Sequence, residues 1–116
     1  MLELILDQNT ININEKVLHA KGFTLKLFGL IFKRLKDDEI FLIENCNSVH
    51  TFWMRYKIDV IFLDRNNKVV RIYKSLKPFR ITPFIKDAVT ALEANDNFVN
   101  KYNLKLGFKI LFDTQK

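Results

Sequence analysis

The sequence has few of the residues that define several classes of protein. Its single cysteine, Cys46, cannot form an internal disulfide, so a reducing compartment, the cytoplasm, is the expected location. Three glycines and two prolines among 116 residues exclude collagen-like and linker-like chains. No apolar run approaches the roughly 20 residues of a membrane-spanning helix, so no membrane span is expected. The first ten residues also lack the basic and apolar regions of a secretory signal.

The remaining composition is that of a folded globular protein. Hydrophobic residues make up 48% and charged residues 28% of the chain, which excludes disorder. Eleven phenylalanines predict a core with a large aromatic area. At this length we expect one domain over residues 1–116, with no need of a metal or disulfide for stability.

Positive charge is concentrated in the second half of the chain. Residues 1–50 carry a formal charge of −1 and residues 51–116 carry +7. No acid lies between Asp64 and Asp87, where seven cations occur: Arg65, Lys68, Arg71, Lys74, Lys77, Arg80 and Lys86. Such a stretch can bind phosphates, attract an acidic partner or simply form a solvated face. No sequence signature of a nucleic-acid-binding fold accompanies it, so we rank weak, non-specific nucleic-acid binding last of three functions.

Short apolar segments separated by turn-forming residues predict a β-rich chain. Strands are predicted over residues 2–6, 11–13, 17–20, 40–43, 49–56, 58–63, 69–74 and 104–112. Apolar spacing predicts a helix over residues 24–35, and Asp96 is placed to cap a short helix over residues 97–102. Residues 86–94 fit helix or strand. The predicted class is α+β, rich in β, as an antiparallel barrel-like or sandwich sheet with one or two short helices.

Enzyme and metal motifs are missing. The chain has no glycine-rich phosphate loop, no serine-hydrolase elbow and no zinc-protease helix. Cys46 and His50 are four residues apart, but a metal site needs three or four ligands and no second pair follows. We therefore expect no metal and no cofactor, and we favour a protein that is not an enzyme.

Asp59 stands out because it lies on an apolar strand. Strand alternation puts it on the face of Ile61 and Leu63, while its neighbours on the other face are apolar too. A carboxylate there is costly unless it is hydrogen-bonded or paired. It either accepts loop amides and fixes a turn, or acts as a general acid or base with Glu93 and His50.

The longest distinctive segment of the chain is the run CNSVHTFWMRYKIDVIFLD over residues 46–64. This run resembles domain-of-unknown-function family 192, whose pattern is an H-[ST]-F-W-M segment followed by I-P-[LI]-D-[IV]-x-F-[IL]-D. Residues 67–70, NKVV, fill the place of its G-x-V-V hairpin, and residues 76–79, LKPF, resemble its proline-aromatic loop. Residues 29–31, GLI, and 91–93, ALE, match its Gly-Leu-Met and Val-Leu-Glu segments. The resemblance spans about residues 17–112.

The resemblance implies a compact, barrel-like α+β fold and favours a strand over residues 86–94. It implies no activity, because no common activity is established for the family. Three departures affect turns: Lys57 replaces a proline, Asn95 and Asp96 replace Ala-Gly, and Gly107-Phe108 replaces a terminal Gly-Asp.

These observations favour a non-enzymatic binding or accessory module, with its surface around residues 50–59 and 76–84. The expected ligand-binding residues share those segments or an apolar setting: His50, Thr51, Trp53, Asp59, Phe79, Arg80 and Glu93. Trp53 is expected to line a pocket or join the core. The partner is expected to be a protein or a small anionic ligand. The alternative is a small hydrolase-like enzyme that uses Asp59 and Glu93 with His50.

Overall fold

The computed structural model describes residues 9–20, 35–52 and 54–112. The strand predicted over residues 2–6, nearly all of the helix predicted over residues 24–35, and Trp53 lie outside these ranges. Within them the chain forms seven strands and one helix. They are β1 (Thr10–Ile13), β2 (Lys16–Ala20), β3 (Glu39–Glu44), β4 (Ile58–Leu63), β5 (Val69–Leu76), β6 (Thr90–Asn95), α1 (Phe98–Tyr102) and β7 (Lys109–Phe112).

Five of the strands form one sheet and two form another. The larger sheet has the order β2-β3-β6-β4-β5, and the smaller one pairs β1 with β7. Each neighbouring pair along β3-β6-β4-β5 is antiparallel, whereas β2 runs parallel to β3 and β1 runs parallel to β7. The larger sheet is therefore mixed and the smaller one is parallel, although the central pairings are antiparallel as predicted.

Strand β4 is the centre of the fold because all six of its residues are buried. Its alternate side chains enter two separate cores. Val60 and Phe62 pack on one face with residues of the loops between β3 and β4 and between β5 and β6. Ile61 and Leu63 pack on the other face with α1, β1 and β7. The apolar character of both strand faces in the sequence thus reflects a sheet covered on both sides.

The β-rich α+β class is confirmed, in the form of sandwich-like sheets. Among the described residues the strands do not close into a barrel, since β5 and β2 lie at opposite edges of the larger sheet. Residues 90–95 form strand β6, so the second part of the segment 86–94, which fitted either helix or strand, is a strand, while residues 86–89 form neither. Residues 69–76 return beside β4 as the predicted hairpin partner, with Asn67 in a left-handed turn conformation.

Three predicted elements are wrong in extent or detail. The described residues of the segment 49–56 do not form a strand, because residues 49–51 pair with a loop rather than with the sheet and the chain turns after Thr51. The last strand begins at Lys109, not at residue 104, since the preceding residues form turns. Asp96 does not cap α1, whose N-cap is Asn97 and has no side-chain cap.

A buried acid ties the β1–β2 turn to the helix. Glu15 is buried, and its carboxylate accepts hydrogen bonds from the Lys101 ammonium and the Tyr102 hydroxyl of α1. Burial, followed by the bond to Glu15, raises the pKa of Tyr102 above its ordinary 10.0. The bond to Glu15 likewise raises the pKa of Lys101 above 10.5. The three side chains therefore act together as one pH-dependent contact.

We expect alkaline pH to weaken the fold through this contact. A group whose folded pKa is raised stabilises the protein below its unfolded pKa, and that stability is lost as the pH rises through the folded value. The free energy of unfolding, measured with denaturant, should therefore decline between about pH 9 and pH 12. Tyr102→Phe should make this decline shallower. An equal slope in the variant and the wild type would show that other groups cause it.

Candidate binding site

Two loop segments are joined into a single structure, called here the clamp: residues 47–52 and residues 77–85. The Thr51 amide donates to the Arg80 carbonyl at 2.8 Å, and a single β-bridge pairs His50 with Ile81. The Thr82 amide donates to the Val49 carbonyl at 2.9 Å. The two segments that the sequence predicted to form one surface are thus in direct contact.

Thr51 holds the clamp together. Its hydroxyl donates to the Lys77 carbonyl at 2.7 Å and accepts the Arg80 amide at 2.9 Å. Its own carbonyl accepts the Phe79 amide at 2.8 Å. Thr51 is fully buried, and its hydrogen bonds position residues 77–80. That Thr51 itself contacts a ligand stays a prediction.

Phe79 has an unusual backbone conformation. Its φ of 63° lies in the left-handed region, which typically costs a residue with a side chain about 1–2 kcal/mol. Its ring remains 63% exposed, so burial of the ring offsets little of that cost. The Thr51 hydrogen bonds on either side of the turn hold the backbone in place.

Four large apolar side chains of the clamp face solvent, and together they are called here the apolar patch: Phe52 (40% exposed), Phe79 (63%), Ile81 (65%) and Phe84 (82%). The half-buried His50 ring packs against Phe52 with 5.1 Å between ring centres. The surface predicted around residues 50–59 and 76–84 includes all five of these residues, but only His50 and Phe79 are among the individual residues predicted to bind a ligand. Ile81 and Phe84 could have been added because they lie on either side of Pro83, in a loop that cannot join a central strand.

An open groove of about 680 Å³ borders the apolar patch. It lies between the end of β3 and the clamp, and its lining includes Ile43, Cys46, His50, Ile81 and Phe84. The buried Cys46 thiol donates to the Ser48 carbonyl at 3.2 Å. Among the described residues, no three His, Cys, Asp or Glu side chains are grouped to hold a metal ion. The groove is thus a mixed apolar and amide-lined recess.

Asp59 is buried and uses both carboxylate oxygens for structure. One oxygen accepts the Ser75 amide and the other accepts the Val99 amide, each at 2.8 Å. Strand β5 contains an extra residue opposite Asp59, and Ser75 there has a φ of 52°. The Ser75 amide that bonds to Asp59 thus belongs to a β-bulge, while the hydrogen bond from the Val99 amide fixes the start of α1. The prediction that Asp59 is buried and accepts backbone amides is confirmed.

Asp59 and Glu93 do not form a carboxylate pair. Asp59 is paired across the sheet with Ala94, whereas Glu93 is paired with Val60, so the two acids point to opposite faces. Both side chains are buried. The hypothesis that these carboxylates act together on one substrate is therefore wrong, because the sheet itself lies between them.

The cations of residues 65–86 are spread over three places. Arg65 and Lys68 lie in the β4–β5 hairpin, and Arg71 and Lys74 lie on β5, with Arg71 near the Tyr73 ring. Another group is exposed on or next to the clamp: Lys77, Arg80 and Lys86.

The helix found among the described residues, α1, is too short to cross a membrane.

Comparison with known proteins identifies relatives over most of the chain. The model of the family DUF192, described as Uncharacterized ACR, matches residues 5–112. A UPF0127 protein of Pyrococcus furiosus is 30% identical over 102 residues, which cover 84% of this chain and 87% of the relative. A UPF0127 protein of Pyrococcus horikoshii is 41% identical over 66 residues, or 53% of this chain. That match spans 56% of the relative's length.

Two crystal structures share the fold. A protein of unknown function from Novosphingobium aromaticivorans superposes with a TM-score of 0.71 at 20% identity, covering 82% of this chain and 73% of that one. A protein from Sinorhizobium meliloti, named as a candidate transcription regulator, gives 0.67 at 17% identity, covering 78% and 76%. At these identities the similarity establishes the fold alone.

Proposed function

The chain belongs to the family DUF192, and we propose that it acts as a non-enzymatic binding module that holds a segment of a partner protein on the clamp. The main support is the exposure of four large apolar side chains on two segments that Thr51 fixes in position. Single exposed apolar residues are ordinary, whereas a group beside a concave surface is typical of an interaction site.

The groove supports the same function. Interfaces are stabilised mainly by a few apolar or aromatic side chains that fill recesses on the partner. The groove is such a recess, and the side chains of Ile81 and Phe84 line it while remaining exposed. An apolar side chain of the partner can enter the groove while its neighbours pack on the apolar patch. Of the residues predicted from sequence, His50, Phe79 and Arg80 remain in this site.

The other two functions have less support. An acid–base pair would need two carboxylates facing one cavity, which Asp59 and Glu93 do not provide. Nucleic-acid binding would benefit from cations gathered on one surface, but those of residues 65–86 are divided among the hairpin, β5 and the clamp. As part of the proposal the protein acts in the cytoplasm, where a reducing environment suits the free Cys46 thiol.

A peptide-display selection tests the proposal. We expect random peptides selected on the full chain to bind it, and Ile81→Ser to weaken that binding by about tenfold or more, as removal of an interface anchor does. Leu106→Ser is a matched control, because Leu106 is 63% exposed against 65% for Ile81 and lies outside the clamp. Affinities are measured by fluorescence anisotropy with synthetic versions of the selected peptides.

The selection can also refute the proposal. It is refuted if no peptide binds the folded chain, or if the peptides bind Ile81→Ser as tightly as the wild type. A loss of affinity with Leu106→Ser alone would also refute it, because the binding site would then lie near Leu106 rather than on the clamp. Circular dichroism and melting curves of both variants confirm that each remains folded before binding is compared.

A further inference from the structure

On the basis of the proposed function, we infer that the partner segment is acidic, with an apolar side chain flanked by carboxylates, and that Phe79 and Arg80 contact it. The apolar side chain would occupy the groove and contact the apolar patch, while the carboxylates would contact the cations on or next to the clamp. Charge, hydrogen bonding and backbone conformation each support this occupant.

Charge around the clamp is unbalanced. Residues 76–86 contain no acid, and their three cations, Lys77, Arg80 and Lys86, are all exposed; the exposed Asp87 follows Lys86, so Lys77 and Arg80 are the two of these cations farthest in sequence from an acid. Among the described residues, none of these three forms an ion pair with an acid. Glu44 lines the groove, so the acidic positions of the partner are expected beside Arg80 rather than inside the groove. Exposed cations next to an apolar patch are complementary to an acidic segment with an apolar anchor.

Arg80 is held in place by its backbone but not by its side chain. Its amide donates to the Thr51 hydroxyl at 2.9 Å, and its carbonyl accepts the Thr51 amide at 2.8 Å. Its guanidinium makes one long bond, at 3.4 Å, to the Phe79 carbonyl. Most of the five guanidinium donors therefore remain available, and their planar arrangement suits a carboxylate.

The side chain of Phe79 contributes little to the stability of the fold. At a φ of 63°, glycine would relieve the backbone strain, and a ring that is 63% exposed contributes little to the core. Stability alone therefore gives no reason for phenylalanine at this position. A ring displayed next to Arg80 is explained by contact with something outside the chain.

Peptides of matched sequence test the inference. Three labelled peptides carry the same central apolar residues and differ in their flanks, which contain Asp and Glu, Asn and Gln, or Lys. By fluorescence anisotropy at low salt, we expect the acidic peptide to bind at least about tenfold more tightly than the neutral one, and the basic peptide to bind most weakly. The preference should shrink as the salt is raised to about 0.3 M, because screening weakens exposed charge pairs.

Variants separate the two contact residues. Arg80→Gln should cut the acidic preference by about threefold or more, whereas Arg65→Gln, an exposed cation in the hairpin, should leave it unchanged. Phe79→Gly should weaken all bound peptides by about tenfold. Its melting temperature should equal that of the wild type or exceed it by up to about 4 °C, since the left-handed strain is removed. A purely structural phenylalanine would instead lower the melting temperature.

Each contrary result has a distinct meaning. Equal affinity for the acidic and neutral peptides, with sensitivity to Ile81→Ser, refutes the acidic partner and leaves the proposed function standing. Equal effects of Arg80→Gln and Arg65→Gln refute a local carboxylate contact. Absence of binding by all three peptides counts against the acidic partner, while the display selection decides the proposed function separately. Tighter, Arg80-dependent binding of a labelled single-stranded oligonucleotide would replace the acidic peptide with nucleic acid.

Discussion

Replacing Asp59 by asparagine is expected to lower the free energy of unfolding by about 3 kcal/mol, which corresponds to a fall of about 12 °C in melting temperature. Asp59 is 1% exposed and accepts one backbone amide on each carboxylate oxygen. Asparagine has one oxygen and one NH₂ group. Either the Ser75 amide or the Val99 amide would then face a second donor, and a buried donor would be left without an acceptor.

The Val99 bond makes this loss visible at a defined place. Helix α1 has only five residues, too few to be stable alone, so its start depends on contacts such as the one with Asp59. We expect the Val99 amide to exchange with solvent faster in Asp59→Asn than in the wild type. Thermal denaturation measures the overall effect, and amide hydrogen exchange locates it.

Asp64→Asn provides a matched control. Asp64 also accepts two backbone amides, from Asn66 at 2.8 Å and Lys68 at 3.0 Å, but both go to the same oxygen. An asparagine oxygen can accept both, and this turn is exposed, so we expect a loss of no more than about 0.5 kcal/mol. A melting temperature for Asp59→Asn within a degree of the control would show that the two amides do not need the carboxylate.

Four of the five strands of the larger sheet could be predicted from the sequence because their apolar pattern is local, whereas the residues that form β6 fitted helix or strand. Five of the six buried residues of β4 are apolar, and the exception is Asp59. The turn-forming residues that follow β4 indicated the hairpin with β5. The burial of Asp59 followed from strand alternation alone. Its two partners did not, because Ser75 donates from a bulge and Val99 lies 40 residues away.

Residues 49–52 show why the clamp could not be predicted as such. Their burial alternates as in a strand, with Val49 and Thr51 inside and Phe52 exposed. The hydrogen bonds of this segment go to a loop bounded by two prolines, which no local pattern reveals. The placement of Asp59 and Glu93 on opposite faces of the sheet could not be predicted from a local pattern either. Alternation places each acid within its own strand, but the register between β4 and β6 decides which faces they share.

Thr51→Val is expected to lower the free energy of unfolding by about 2 kcal/mol and to loosen the clamp first. Valine has the shape of threonine without the hydroxyl, so the Lys77 carbonyl loses a donor and the Arg80 amide loses an acceptor. The site is fully buried, so water cannot readily replace the lost bonds. The left-handed turn at Phe79 then has fewer contacts to hold it, and the display of its ring becomes less defined.

Two further variants assign this effect to the hydroxyl. Thr51→Ser keeps the hydroxyl and removes a methyl group, so we expect a loss of about 1 kcal/mol with the clamp intact. Ser48→Ala removes one partly exposed hydroxyl that donates to the Thr82 carbonyl, and should cost about 0.5 kcal/mol. Amide exchange at Phe79 and Arg80 should accelerate in Thr51→Val but in neither control. Unchanged exchange at both amides in Thr51→Val would mean that the backbone pairing with residues 47–52, rather than the Thr51 hydroxyl, fixes the loop that carries the apolar patch.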